Sequence, residues 1–386
     1  MSRPRIVTPV TPELVRGAIE LEATERGVRP HRLPAWARTQ WPDEQLAMAE
    51  AQPSGVRLAF RTTATAIELE VLATKVTYAG LAGPPDGVYD LVVHGRLVAR
   101  STSTGGHLLT IDLTTGAHDL RTGDVGVVAF DALPPGAKDV ELWLPYTEAV
   151  ELLALRTDAP VEAARSSNRR VWLHHGSSIS QGSAAAGPSS TWPALAAAAG
   201  GVDLVNLGFA GSALLDPFVA RTLRDAAADL ISLEIGINLV NHDLVRRRVF
   251  GPAVHGWLDT IRDGHPATPL LVVSPLCCPI HEHTPGPSAP DLTGGGLRFV
   301  ALGDPAAAES DLLTLSWIRA ELASIVRERA TTDPHLHHLD GLELYGAGDH
   351  DVHPLPDQLH PDAETHRLVA ERFAARAFAA GGPFDA

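Results

Sequence analysis

The sequence predicts two successive domains. Residues 1–160 form an antiparallel β-sandwich of jelly-roll-like topology, and residues 168–386 form an α/β domain built on a parallel sheet. Three observations predict this. In the first stretch, short runs alternate apolar and polar residues at period two between turn clusters. In the second, apolar runs of strand length alternate with helical patterns, the mark of a parallel sheet covered on both faces. Between Asp158 and Asn168 the chain is polar, and its 386 residues suffice for two cores.

The sandwich strands are predicted over Val56–Phe60, Ala66–Val71, Val88–Val93 and Val140–Leu144. Turn clusters such as Gly83-Pro84-Pro85-Asp86-Gly87 and Pro134-Pro135-Gly136 separate them. In the α/β domain, Arg170–His175 is a buried strand that Gly176 breaks, which places Ser178 on a strand-to-loop turn. A helix over Thr191–Ala199 ends at Gly200-Gly201, a pair suited to a left-handed cap. The next strands are Val202–Leu207, Leu230–Ile235 ending at Gly236, and Pro269–Ser274, the last preceded by a helix over Val254–Arg262. Asp357 and His360 sit in a loop with Pro354, Pro356 and Pro361, and Pro361 suits the first position of a last helix reaching Phe378.

Four short blocks at these boundaries carry chemistry: Gly176-Ser177-Ser178-Ile179-Ser180, Asn206-Leu207-Gly208-Phe209-Ala210-Gly211, Gly236-Ile237-Asn238 and Asp357-Gln358-Leu359-His360. A serine hydroxyl is a poor nucleophile at neutral pH, so it needs a base, and the base needs an orienting carboxylate. Ser178, His360 and Asp357 fit these roles. The tetrahedral intermediate of acyl transfer needs donors at its oxyanion, and the N–H of Ser178, the N–H of Gly211 and the amide of Asn238 fit them. Singly, each block has an ordinary reading. A serine after glycine at a strand end is commonly a turn or helix cap, Asn238 could cap a loop, and His360 could be a surface histidine. Jointly they fill every role in one order along the chain, which turn residues have no reason to do. Ser177 and Ser180 are the rival nucleophiles, with Ser180 also suited to hydrogen-bonding within the turn.

The order and wording of the blocks resemble the SGNH/GDSL family of serine esterases, lipases and acyltransferases over roughly Arg170–Phe378. The family's nucleophile follows Gly-Asp, whereas here Ser177 takes the aspartate's place. That aspartate is not one of the triad. The resemblance implies a flavodoxin-like three-layer α/β/α catalytic domain, a nucleophile at Ser178 with Asp357 and His360 completing the triad, and an oxyanion hole of Ser178, Gly211 and Asn238. It implies no metal or other cofactor. A sandwich preceding such a domain, together with Ser274-Pro275-Leu276-Cys277-Cys278-Pro279 and Thr284-Pro285-Gly286-Pro287, resembles a subgroup containing carbohydrate esterases and an acyltransferase that decorates an aromatic polyketide.

Composition limits the partners. A formal charge of −15, from 31 basic and 46 acidic residues, disfavours nucleic acid and anionic membranes, both of which reward basic patches. No run is apolar enough to span a membrane, and Met1-Ser2-Arg3-Pro4-Arg5 opens no signal peptide, so cytoplasmic residence is expected. Cys277 and Cys278 are neighbours, for which reduced thiols are expected. The groups His281-Glu282-His283, His335 with His337 and His338, and His350 with His353 lack metal-site spacing and are read as loop histidines. The Pro- and Gly-rich stretch 279–298, with Gly294-Gly295-Gly296, reads either as a lid over the site or as a mobile surface loop. The expected substrate is a small-molecule or carbohydrate ester. The acyl group passes to water, or alternatively to a hydroxyl of a natural product. A third reading, a glycan-binding protein with a spent hydrolase domain, leaves the intact set of roles without a reason. The oligomeric state is not legible in the sequence.

Overall fold

The computed structural model describes residues 6–80, 83–112, 115–164, 168–293 and 296–385. The opening residues 1–5, linker residues 165–167, and Gly294 and Gly295 of the glycine run lie outside the described residues. The chain divides into two compact units. One holds residues up to Pro34, Glu50–Asn168 and Gly187–Ser189, and the other holds Ala35–Ala49, Arg169–Ala186 and Ser190 onward. The chain thus leaves the first unit after Pro34 and returns to it at Glu50, an excursion absent from the contiguous reading of the sequence.

The first unit is a sandwich of two sheets. The larger runs in the order His118–Arg121, His107–Ile111, Ile67–Tyr78, Ala149–Thr157, Val28–His31, Glu20–Ala23, with Gly126–Phe130 and Ile6–Thr8 also paired to it. The smaller runs Val161–Ala163, Arg57–Thr62, Lys138–Trp143, Val88–Val93, Arg96–Thr102. Because side chains alternate along a strand, one parity from each sheet meets in a common core. Leu58, Phe60, Leu91, Val140 and Leu142 of the smaller sheet join Ile67, Leu69, Val71, Val128 and Leu152 of the larger. One pairing departs from the antiparallel expectation, since Ile67–Tyr78 runs parallel to His107–Ile111.

In the second unit, strands β1 (Val171–Gly176), β2 (Asp203–Gly208), β3 (Leu230–Glu234), β4 (Leu270–Val273) and β5 (Leu336–Leu339) form one sheet in the order β2-β1-β3-β4-β5. All four pairings are parallel. This is the flavodoxin-like order, which reverses at β1 and β3 and opens a crevice at their carboxyl ends. Its helices include α1 (Ser178–Gln181), α2 (Trp192–Gly200), α3 (Pro217–Asp225), α4 (Ile237–Asn241), α5 (Arg247–Gly264), α6 (Leu315–Arg329) and α7 (Ala363–Ala377). Alternating residues of β1 show that helices cover both faces. Trp172 stacks on Phe373 of α7 at 5.1 Å between ring centroids, and His175 lies 5.2 Å from Trp257 of α5.

Four expectations need correction. The sheet has five strands, because β5 reads Leu-His-His-Leu and lacks an apolar run, so His337 and His338 are strand residues rather than loop histidines. Helix α5 begins at Arg247, well before Val254, and carries Pro252 within it. Pro361 lies outside α7: the cap is Asp362, whose carboxylate accepts from Thr365 N at 2.9 Å, a bond proline's ring cannot supply. The stretch 279–298 is not a structureless loop. It holds a 3₁₀ turn over Pro279–His281 and enters a hairpin of Ser288–Asp291 with Arg298–Ala301. Among the described residues no helix is long and apolar enough to cross a membrane.

Candidate active site

Ser178 follows β1 after a single residue, Ser177, and is the first residue of α1, so the predicted strand-to-loop turn is a strand-to-helix turn. The turn is tight. A Cβ at Gly176 would collide with Ser180 Oγ and come within 3.0 Å of Glu234 Oε2. Ser177 caps α1, its hydroxyl accepting from Ile179 N at 3.3 Å. Ser178 is 7% exposed, and its Oγ lies 2.9 Å from His360 Nε2. On the other side of the ring, His360 Nδ1 lies 2.7 Å from Asp357 Oδ2. A carboxylate only accepts, so Nδ1 carries the proton, and Nε2 of the neutral ring accepts from the serine hydroxyl.

The Asp357–His360 turn is held by its own backbone. Asp357 Oδ1 accepts from His360 N at 2.7 Å and from Leu359 N at 2.9 Å, with Gln358 between them at φ 71°. A glutamine in the left-handed region is uncommon and marks a conformation imposed by its surroundings. Burial pushes the Asp357 carboxyl up, but the hydrogen bonds and the charge of His360 outweigh it and hold it below the usual carboxylate range. The hairpin after β4 supplies a contact that the sequence reading missed. Phe299 N donates to the Asp357 carbonyl at 2.8 Å, and the Phe299 ring meets His360 edge-on at 5.6 Å. Cys278, a buried free thiol, donates to the Gln358 carbonyl at 3.5 Å.

The loops that follow β1, β2 and β3 are stitched together. Gln181 Oε1 accepts from Ala210 N at 2.9 Å, Asn238 Oδ1 accepts from Ala213 N at 3.1 Å, and His242 Nε2 donates to the Gly211 carbonyl at 2.9 Å. The bond at Oδ1 sets the amide's orientation and leaves Nδ2 as its donor. Among the described residues, none accepts from the N–H of Ser178, the N–H of Gly211 or Nδ2 of Asn238. These are the three groups whose chemistry suits an oxyanion. Removing one such donor costs about 100-fold or more in turnover. Asn238→Ala is therefore expected to lower kcat by that order with a smaller change in KM, and an unchanged kcat on p-nitrophenyl acetate would take Asn238 out of the site.

The two rival serines are engaged elsewhere. Trp172 Nε1 donates to Ser232 Oγ at 2.8 Å, the Ser232 hydroxyl bonds His174 Nδ1 at 2.7 Å, and His174 Nε2 bonds Ser180 Oγ at 2.8 Å. Burial pushes His174 down to about 3, so the ring is neutral and Ser180 belongs to a closed network beneath the sheet's end. Ser177 donates from both N and Oγ to Glu234 Oε2, at 3.1 and 3.0 Å. Glu234 is buried, its Oε1 has no partner among the described residues, and burial raises its carboxyl above the usual range despite the bonds from Ser177. A carboxylate at position 177, as in Gly-Asp-Ser, would meet this one in the buried interior. Ser177→Asp should therefore destabilise the fold by about 3 kcal/mol or more, the scale of an uncompensated buried charge. Adding Glu234→Gln should restore much of that loss, and thermal unfolding of the single and double variants measures it. A raised carboxyl contributes stability that is full below its unfolded value and is lost as pH rises through the folded one. Glu234→Gln alone should therefore flatten the fall in stability toward alkaline pH.

Comparison with known proteins agrees with this architecture. Residues 169–278 match the GDSL-like lipase/acylhydrolase family, and residues 14–152 match the N-terminal domain of SsfX3. The chain is similar to a solved structure of the salicylyl-acyltransferase SsfX3 from a tetracycline biosynthetic pathway. Identity is 30% over 97% of this chain and 96% of that chain, with a TM-score of 0.78. The chain belongs to the GDSL-like lipase/acylhydrolase family. A GDSL-like lipase candidate from Bacteroides ovatus shares the GDSL fold at 20% identity, covering 93% of each chain with a TM-score of 0.66. A family two carbohydrate esterase from Clostridium thermocellum, solved with cellohexaose, shares it at 14% identity over 83% of this chain and 91% of that chain, with a TM-score of 0.55. A comparison with curated proteins finds no match. As a GDSL-family member, the protein is an SGNH-type enzyme, a hydrolase or an acyltransferase.

Proposed function

We propose that this enzyme cleaves an ester of a small molecule or carbohydrate through an acyl intermediate on Ser178, with His360 as base and acid and Asp357 as its orienting carboxylate. The observation that carries the reading is the hydrogen-bonded series from Ser178 Oγ through the His360 ring to Asp357, at 2.9 and 2.7 Å. As Ser178 Oγ bonds to the ester carbonyl carbon, His360 Nε2 takes its proton, and the carbonyl oxygen becomes an oxyanion facing Ser178 N, Gly211 N and Asn238 Nδ2. The bond to the leaving oxygen then breaks and His360 returns the proton to it, leaving the acyl-serine. Water attacks next and gives its proton to His360, the acid departs, and Ser178 regains its hydrogen. Incubation with p-nitrophenyl esters of different chain length, followed by mass spectrometry of the peptide bearing Ser178, tests this. The expected result is an acyl adduct on Ser178 and steady release of acid. Turnover with the adduct on another residue overturns the assignment, and the absence of both turnover and fluorophosphonate labelling would favour a glycan-binding protein with an inactive hydrolase domain.

A second reading is supported by the 30% identity to SsfX3 along nearly its whole length. Here the acyl-serine is resolved by the hydroxyl of a natural product instead of water, with the same proton transfers at His360. Adding phenolic and sugar acceptors to the ester assay separates the two, since a transferase diverts the acyl group from acid to acceptor ester.

A further inference from the structure

We propose that Gln45, carried by the excursion 35–49, is a positioning residue that aims the Gly211 N–H at the oxyanion. The inference rests on the reading of Ser178, Gly211 and Asn238 as an acyl-transfer site. Gln45 Nε2 donates to the Ala210 carbonyl at 2.8 Å. That carbonyl and the Gly211 N–H belong to one peptide group, which is planar and trans, so the two point in opposite directions. Fixing the carbonyl therefore fixes the N–H. Accepting a hydrogen bond at the oxygen also polarises the group and makes its N–H a stronger donor. The neighbouring atoms are held too, with Ala210 N on Gln181 Oε1 and the Gly211 carbonyl on His242 Nε2. Of the polar backbone atoms of Ala210 and Gly211, the Gly211 N–H alone has no acceptor among the described residues.

Gln45 also packs on the glycine itself. Gly211 sits at φ +70°, and a Cβ there would lie 3.3 Å from Gln45 Nε2 and 3.4 Å from its Cγ. The left-handed backbone calls for glycine, and the side chain above it keeps the turn in place. The segment that brings Gln45 is well anchored within its unit. The Arg221 guanidinium of α3 lies 5.2 Å from the Trp36 ring centroid and bonds Gln40, while Ala37, Leu46 and Ala49 are buried. Asp43 caps the helix Glu44–Ala51, accepting from Leu46 N at 2.6 Å.

The test uses the full chain with Gln45→Met, which keeps length and packing without the donor, and Gln45→Glu, which sets an acceptor against the Ala210 carbonyl. On p-nitrophenyl acetate, kcat is expected to fall about tenfold in Gln45→Met, the scale of one lost neutral hydrogen bond acting in the transition state, and further in Gln45→Glu. KM and the melting temperature should stay near wild type in Gln45→Met, a split that a merely structural role would not produce. Wild-type kcat in both variants overturns the proposal, as does a loss confined to KM or to stability. Ser178→Ala run in parallel keeps the two readings apart. If that variant is inactive while the Gln45 variants turn over normally, the inference about Gln45 alone fails, and if it stays active, the site reading beneath it fails.

Discussion

Ser178→Ala should abolish hydrolysis of p-nitrophenyl acetate, with a loss of about 10⁴-fold or more, because the proposed mechanism takes its attacking oxygen from this hydroxyl. Ser177 and Ser180 cannot take over. The Ser177 hydroxyl is committed to Glu234 Oε2, and that of Ser180 to His174 Nε2. Both residues are fully buried, whereas Ser178 keeps some exposure. The variant should unfold at the wild-type temperature, since among the described residues the Ser178 hydroxyl bonds only His360, and should lose fluorophosphonate labelling. Ser177→Ala should behave in the opposite way, keeping turnover per folded molecule while losing stability as Glu234 loses the hydroxyl donor and keeps only the backbone N–H of residue 177. Activity that survives in Ser178→Ala and disappears in Ser177→Ala would move the nucleophile by one residue.

The second large effect is expected at Asp357. Asp357→Asn should lower kcat by about 10⁴-fold, because an amide favours the wrong histidine tautomer and cannot stabilise the imidazolium formed as Ser178 loses its proton. The pH behaviour follows from the direction of the Asp357 shift. A depressed carboxyl contributes stability that is present above its unfolded value and is lost as pH falls through the folded one. Asp357 therefore remains ionised from neutral into mildly acidic solution. Asp357→Asn should also remove the corresponding acid-side loss of stability. Profiles of melting temperature against pH for wild type and Asp357→Asn test this, and an unchanged acid-side loss in the variant would refute it.

Local chemistry made much of this protein legible in its sequence. Period-two runs marked Val88–Val93 and its neighbours as sandwich strands, and apolar runs ended by glycine marked β1 and β3, because burial on one face or on both leaves a short-range pattern. Since a parallel sheet sets its site at the strands' carboxyl ends, the blocks around Ser178, Gly211 and Asn238 could be assigned to one crevice before any distance was known. The three-residue spacing of Asp357 and His360 likewise suffices for their 2.7 Å contact, which a single turn closes. Contacts made across the chain left no such trace. Gln45 reaches Ala210 from 165 residues away, Glu234 meets Ser177 across neighbouring strands, and Phe299 meets His360 through a hairpin whose residues alternate too weakly to read as strands. β5 was hidden because two histidines occupy its centre. Sequence by itself determined strands β1 to β4 and the blocks that follow β1, β2 and β3, since propensity and periodicity act over a few neighbours. Tertiary structure alone decided which distant side chains orient those blocks, since a hydrogen bond between residues far apart in the chain depends on how the packed layers bring them together.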